Sequence, residues 1–486
     1  RSLTSRSTGP GERDLSLEMD GVLDRKTVLA EYEGVRLGDR RLDRRLERIL
    51  PQLLVAPGDS FPEQMESEAD QEALYRFLGN SRVTMDALLV GHRQQTLRRM
   101  EGQSLVRVIH DTTEFVFDGD REGLSIVQSD DQHRGFLAHF ALAVSADEKR
   151  SPLGILGVRP FIKEHRQRGL TNSQKNLLKL HTPRDEKKSS RWEKLALDVV
   201  HDLPMGVEAI HLMDQEADDF AIFSALSSAK TRFVIRVEAN RKTDEGLRLD
   251  AVLAQQPPQP FRQITVARRT KKAATKAHPE RAERVAELQV RVARVQLPRP
   301  YTSREAELSE LAVQVVHVFE PSPPSGEVPI DWVLVTSEPV CAITEVEAVV
   351  DHYRARWVIE EYFKALKTGC AFERRQLTTL VGLLRALGLF VPMAWTLLAL
   401  RNLGRDQPDR DARDLFTHEQ LTMLRALLEK RRRRFAEQPT VRDAMLGIAA
   451  LGGHIKNNGD PGWQVLGRGF RRFCEYEEAW NLARSM

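Results

Sequence analysis

The sequence predicts an α/β protein in which a mixed β-sheet is flanked by helical segments at both ends. Three observations predict it. Leu42, Leu46, Ile49, Leu50, Leu53 and Leu54 recur at helical spacing. From Leu105 the apolar period shortens to that of strands. Residues 207–213, 218–228 and 233–237 then alternate strand, helix and strand, which suits a mixed sheet. The length of 486 residues allows roughly three to four domains. With 41% hydrophobic and 29% charged residues the chain can bury a sizeable core, which excludes a disordered chain.

Taken in order, residues 1–25 are rich in Gly, Ser and charge and read as a flexible arm. Residues 26–103 read as a small all-helical module. Its leucine-rich helix is ringed by Arg40, Arg41, Arg44, Arg45 and Arg48, and further helical patterns cover 69–78 and 84–100. The arginines suit either a solvated face or a DNA-contact surface. Strand patterns follow at 105–115, 135–144 and 153–158, as a meander, and then at 207–213 and 233–237. Residues 238–330 are irregular and β-like, punctuated by Pro257, Pro258 and Pro260, with a basic stretch at 268–276. A strand and turn at 331–339 lead into a long helical pattern over 344–368, and helical patterns continue to the C-terminus. No internal repeat is visible.

The formal net charge is only +3, from 73 Lys and Arg against 70 Asp and Glu, which taken whole argues against a polybasic protein. Residues 231–300 nevertheless hold 16 basic against 7 acidic residues, and residues 371–486 hold 19 against 13. Near-neutrality is therefore a cancellation, and the two positive segments are the footprint expected for a polyanion partner. Cys341, Cys370 and Cys474 include no close pair, which argues against a disulfide framework or a cysteine zinc site and fits a reducing cytoplasm. The first residues carry no apolar leader, and the absence of an initiator Met reads as a trimmed, truncated or mis-assigned start. Residues 380–400 are apolar enough to raise a membrane span. Arg385 and Pro392 within them point instead to a buried or dimer-facing helix, because a charge at the bilayer centre is costly.

Three carboxylates stand out by position. Asp111 follows the strand run from Leu105, Asp214 lies at the end of the strand 207–213, and Glu360 lies inside the long helical pattern. A carboxylate where the chain leaves a sheet can point into an open crevice, and three such groups can hold a pair of divalent metals. Singly, Asp214 reads equally as a helix cap and Glu360 as a surface ion pair with Lys364. The set gains from its company. Tyr353, Arg356, Glu360, Lys364 and Lys367 are spaced 3, 4, 4 and 3, which lays all five along one face of an α-helix. One acid among cations suits metal and phosphate better than an ordinary solvated face.

The strings His110-Asp111-Thr112-Thr113, Met213-Asp214-Gln215-Glu216-Ala217-Asp218 and Tyr353-x-x-Arg356-Trp357-x-Ile359-Glu360-Glu361 resemble the DDE transposases of bacterial insertion sequences. More narrowly, they resemble the cut-and-paste group with a Tyr-(2)-Arg-(3)-Glu-(6)-Lys signature, matched here by Tyr353, Arg356, Glu360 and Lys367. The segments around Leu37-Gly38-Asp39-x-Arg41, Ala73-x-Tyr75-Arg76-Phe77-Leu78, Trp332-x-x-x-Thr336 and Gly452-Gly453…Pro461-Gly462-Trp463 are similar too, so the resemblance spans roughly residues 30–475. His110 stands where relatives often carry an acid, and it could perturb Asp111. Met213 stands where a cysteine is common.

The resemblance implies an RNase H-like catalytic core over 104–370 with a β-rich insertion at about 238–330, which fits the 146 positions from Asp214 to Glu360. It implies a DNA-binding domain at 26–103 and a helical dimerisation domain at 371–486, with 380–400 and 421–428 as the expected interface or, alternatively, a monomer's core. Asp111, Asp214 and Glu360 would hold two Mg²⁺ ions, with Mn²⁺ as a substitute. Tyr353, Arg356, Lys364 and Lys367 would bind the DNA end, Trp332 would stack on a flipped base or else fill the core, and Arg41 and Arg76 would contact DNA. The cluster 430–434 would meet phosphates or stay solvated. The implied partners are double-stranded DNA, both terminal repeats and target, and a second copy of the chain in a homodimer. The implied setting is the bacterial cytoplasm and nucleoid, with no membrane. A non-catalytic transposase-derived DNA-binding or inhibitory protein is the alternative, and a nuclease without strand transfer shares the same site.

Overall fold

The structure, a computed structural model, describes residues 25–55, 58–127, 133–162, 189–266, 280–455 and 459–485, with 171, 173–174, 177, 181–184, 187 and 268–269. The expected arm, apart from residue 25, and residues 270–276 of the basic stretch lie outside the described residues. The N-terminal part comprises α1 (Arg25–Ala30), α2 (Arg40–Val55), α3 (Phe61–Gln64), α4 (Glu68–Gly79) and α5 (Met85–Met100). Helix α2 forms because its apolar stripe has somewhere to go: Leu42, Leu46, Ile49, Leu50 and Leu53 are buried while Arg40, Arg41, Arg44 and Arg48 stay exposed. Ser67 and Thr84 cap α4 and α5 by accepting from the amides of Asp70 and Ala87.

The centre is one mixed sheet. Its strands are β1 (Leu105–Phe117), β2 (Ser125–Ile126), β3 (Arg134–Ser145), β4 (Pro152–Phe161), β5 (Glu208–Met213) and β6 (Arg232–Val237), then β7 (Gln259–Val266), β8 (Arg284–Pro298), β9 (Glu310–Phe319) and β10 (Asp331–Thr336). The order is β2-β3-β1-β5-β6-β10-β9-β8-β7, with β4 also on β3. Strands β1, β3 and β4 form the expected antiparallel meander, and β5 and β6 run parallel to β1. Between β4 and β5 lies α6 (Ser190–Asp202), between β5 and β6 lies α7 (Phe220–Ser228), and α8 (Leu249–Ala254) follows β6. The residues after β6 do not build a sheet of their own. Strand β10 pairs antiparallel with β6 and carries β9, β8 and β7 outward on the same sheet.

On β1 the two faces separate cleanly. Val106 and Val108 pack with Met100, Leu195 and Val199 of α5 and α6. Ile109 faces the other way, into the core shared with Ile210, Leu212 and Val234, which is covered by α9 (Ile343–Arg354), α10 (Trp357–Lys364) and α11 (Leu380–Asp406). The single helix expected over 344–368 is therefore two helices. At the joint the amides of Arg356, Val358 and Ile359 bond three residues back instead of four, and beyond α10 residues Ala365–Gly369 widen into a π-turn. Tightening followed by widening re-aims side chains that a uniform helix would stack on one face.

Helix α11 is a core helix, its apolar stretch 89% buried within the chain. Arg385 reaches out to donate to the Leu78 carbonyl at 2.7 Å. The helices α12 (His418–Lys430), α13 (Val441–Leu451) and α14 (Trp463–Ser485) pack beside it. Leu421, Met423, Leu424 and Leu428 are buried within this chain, as is most of α11, so these apolar stretches form its own core and are not open for a dimer contact. Of the basic cluster, Arg431 and Arg433 donate to the carbonyls of Ala450, Leu451 and His454, so they satisfy the C-terminus of α13 rather than meeting phosphates or floating in solvent. Helices α13 and α14 touch backbone to backbone: a Cβ at position 469 would lie 2.1 Å from the Ile448 oxygen. Cys341, Cys370 and Cys474 form no disulfide with one another.

Candidate active site

The parallel register of β1 with β5 runs from Leu105 opposite Glu208 to Ile109 opposite Leu212. Two residues further, past the end of β5, it sets Asp111 beside Asp214, and the alternation that buries Ile109 and Leu212 turns both carboxylates to the same face. Both lie where β5 stops, the position at which ligands enter parallel sheets in general. Asp214 also accepts from the Glu216 amide at 2.9 Å and so caps the short turn Gln215–Ala217. Its neighbour Asp218 is occupied elsewhere, accepting from the amides of Glu238 and Ala239 and pairing with Arg241. Asp219, not Asp218, caps α7.

The third carboxylate comes from the helix side. Arg356, at the joint between α9 and α10, donates through Nη1 to Asp111 Oδ2 at 2.8 Å and through Nη2 to Glu360 Oε1 at 3.1 Å. One guanidinium thus clamps the strand acid to the helix acid, and it is Arg356, not Lys364, that pairs with Glu360. Burial pushes the Asp111 carboxyl up to about 7; Asp214 and Glu360 add to the rise, while Arg356 and the Thr112 amide oppose it. Glu360 is raised for the same reason, burial first, with Asp214 adding and Arg356 and Lys364 opposing. His110 takes no part: it points to the opposite face of β1, where its Nε2 meets His211 Nδ1 at 2.9 Å. The expectation that it perturbs Asp111 is corrected by simple strand alternation.

The remaining predicted residues fall into three groups. Tyr353 is buried against Trp332, ring centroids 5.8 Å apart and edge to face, so Trp332 is half-buried beside the site and packed against the core. Lys364 is exposed and makes no ion pair among the described residues. Lys367, turned by the π-turn, reaches β1: it donates to the Glu114 carbonyl and lies 3.6 Å from Glu373. Arg41 and Arg76 sit in the N-terminal part, paired with Asp39 and Glu72, and neither joins the carboxylates. Arg40 and Arg44 on the same exposed face make no ion pair among the described residues.

Two residues had escaped the sequence. Arg236, on β6 opposite Leu334, donates to the Asp331 carbonyl at 3.4 Å, and its charge acts on the Tyr353 hydroxyl, opposing the burial that raises it. Trp357 opens α10 beside Arg356 with its indole 59% exposed, an unusual position for the largest apolar side chain. The only available signal was an arginine inside an apolar strand and a tryptophan next to the signature.

Hard carboxylate oxygens are the donors that Mg²⁺ and Mn²⁺ prefer, and the chemistry of this set fits them. As the side chains stand, with Arg356 between Asp111 and Glu360, no group of three or more His, Cys, Asp or Glu among the described residues converges on one ion position. The guanidinium supplies the positive charge.

Two family models match the chain: one for transposase DNA-binding, over residues 25–83, and one for the transposase DDE domain, over residues 169–394. The chain carries a transposase DNA-binding domain and a DDE transposase domain. DNA is thus a partner, and α2, with its arginine face, lies within the DNA-binding match. The DDE match takes in Asp214 and Glu360 and begins beyond Asp111. Among solved structures, a cryo-EM structure of the piggyBac transposase synaptic complex with hairpin DNA covers 92% of this chain and 73% of its own, at 9% identity and a TM-score of 0.36, too low a score to equate the two folds.

Proposed function

We propose that this chain is a cut-and-paste DDE transposase of the bacterial insertion-sequence type, in which an RNase H-like core cleaves transposon-end DNA and joins it to target DNA. The strand order β4-β3-β1-β5-β6, an antiparallel meander with two parallel strands beside its first, supports the RNase H-like reading. One observation carries the function: Arg356 ties Glu360 to Asp111, and the β1–β5 register, continued two residues, brings Asp214 to the position beside Asp111. Asp111, Asp214 and Glu360 would hold two Mg²⁺ ions, or Mn²⁺ in their place, which would supply Lewis acidity for the attacking and leaving oxygens.

The protein's own side chains do the rest. Water frees a 3′-OH at the transposon end; that hydroxyl attacks the opposite strand to give a hairpin, which a second water opens, and the freed 3′-OH then attacks target DNA. Each is an in-line phosphoryl displacement, in which positioning and charge do most of what a protein can do. Arg356 moves from the carboxylates to a phosphate, a bidentate partner of the same geometry. Tyr353 and Arg236 hold the strand, and Lys364 and Lys367 carry it away from the scissile bond. Trp332 and the exposed Trp357 offer indole faces for an unstacked base. The division into a DNA-binding part at 26–103, a catalytic part at 104–370 and a helical part at 371–486 belongs to this proposal, as does the two-fold dimer that pairing two ends requires. Because the apolar residues of α11 and α12 are buried within this chain, that dimer uses another surface.

The test is incubation of the full chain with candidate terminal-repeat duplexes and Mg²⁺ or Mn²⁺, followed for 3′-OH ends, hairpins and integration products. Nicks, hairpins and joined products support the proposal. Nicks alone identify a nuclease, and binding without cleavage identifies the non-catalytic, transposase-derived alternative.

A further inference from the structure

Beyond Lys367 the chain enters a cavity of about 380 Å³ where three distant segments meet. Gly58 and Asp59 come from the loop before α3, Lys367 to Arg374 from the π-turn and the bend after it, and Arg468 and Arg471 from α14. The walls are held close. A Cβ at position 467 would lie 2.7 Å from the Gly369 oxygen, and Arg471 pairs with Asp59 across the gap. Ala371, in the left-handed region at φ +47°, reverses the chain so that Arg374 lies at the cavity.

The charges lining it do not balance. Asp59 is occupied by Arg471, and Glu373 accepts from the Val116 amide at 3.0 Å while facing Lys367. Arg374 and Arg468 are exposed and have no acid partner among the described residues. Two unpaired guanidiniums beside a backbone-lined hollow, adjoining a lysine proposed to lead DNA from the active site, are built for a diester phosphate.

We propose that this cavity is a second phosphate-binding site, in which Arg374 and Arg468 grip backbone phosphates of the DNA strand that passes Lys367. The site ties the loop before α3 and the C-terminal helix to the same strand. It rests on the DNA-cleaving reading of the carboxylates, and its failure is separable from that reading's failure.

The experiment measures the salt dependence of DNA binding by the full chain without divalent metal, using a terminal-repeat duplex and a random duplex of equal length. Each phosphate that the protein no longer neutralises should lower the slope of log K against log salt by about 0.9, so Arg374→Ala with Arg468→Ala should lower it by about 1.8. The double lysine variant should keep the slope. A loss on the repeat alone places the site on end DNA, and a loss on both duplexes on phosphates common to the two; either supports it. An unchanged slope on both duplexes, with thermal stability unaltered, overturns it. Lys367→Ala is the reference: if it lowers the slope and the arginine pair does not, only the second site falls; if neither does, the path along Lys367 falls as well.

Discussion

Glu31, 2% exposed, lies where the N-terminal part meets the sheet. Arg99 of α5 grips both its oxygens, at 2.7 and 3.1 Å, and His92 donates to it through Nδ1. The other nitrogen of His92 accepts the Ile155 amide at 2.9 Å, which fixes the neutral tautomer, while Arg99 lies 4.0 Å over Trp395 of α11. One carboxylate therefore joins α1's end, α5, β4 and α11. Burial pushes it up, but His92 and Arg99 outweigh burial and hold it at about 2 against an ordinary 4.5. A folded value below the unfolded one gives stability that is full above 4.5 and is lost as the pH falls toward 2. At 1.36 kcal/mol per pK unit, Glu31→Gln should cost about 3 kcal/mol at pH 7, in line with about 3–5 kcal/mol for removing one partner of a buried pair. The same arithmetic gives about 2 kcal/mol at pH 3.5. Urea unfolding of wild type and variant at the two pH values measures both. A loss under about 1 kcal/mol at pH 7, or one that does not shrink with acid, would refute the reasoning.

Other outcomes follow from the same structure. Gly469→Ala should lower thermal stability severely, because its Cβ would fall 2.1 Å from the Ile448 oxygen, whereas Gly79→Ala, at the end of α4 with nothing within 4 Å, should leave it nearly unchanged. His110, His139 and His211 are fully buried together, and burial lowers all three, the latter two to about 3. Their neutral forms therefore support the fold above the ordinary value of 6.5, and that support should drain away as the pH falls from there toward 3. His139→Phe should flatten this part of an acid-unfolding curve. Trp332→Ala should slow hairpin formation more than first-strand nicking; equal slowing of both would reduce Trp332 to a core residue packed on Tyr353.

The sheet's strands were legible because buried strands advertise themselves: 105–115, 135–144, 207–213 and 233–237 lie within two residues of β1, β3, β5 and β6. Asp111 and Asp214 were legible as acids at or just beyond such runs. The break at Arg356 was not, since Ala355, Arg356 and Trp357 are all acceptable within a helix; the grip of Arg356 on Asp111, a contact over 245 positions, accompanies it. Period also cannot name a strand's partner, so the extension of one sheet by β10, β9, β8 and β7 left no trace. Nor can it tell a buried helix from an interface, which is why α11 and α12 suited a dimer on paper. Arg431 and Arg433 read as loose charge because the carbonyls they satisfy lie about twenty residues away in sequence.

The central claim is that Asp111, Asp214 and Glu360 form one metal-dependent cleavage site. Nicking of a terminal-repeat duplex in Mg²⁺ by Asp111→Asn, Asp214→Asn and Glu360→Gln, with metal-free DNA binding measured on the same preparations, tests it most directly. The account predicts that each variant still binds the duplex and none cuts it. Undiminished cutting by any one of the three would remove that residue from the site and contradict the account.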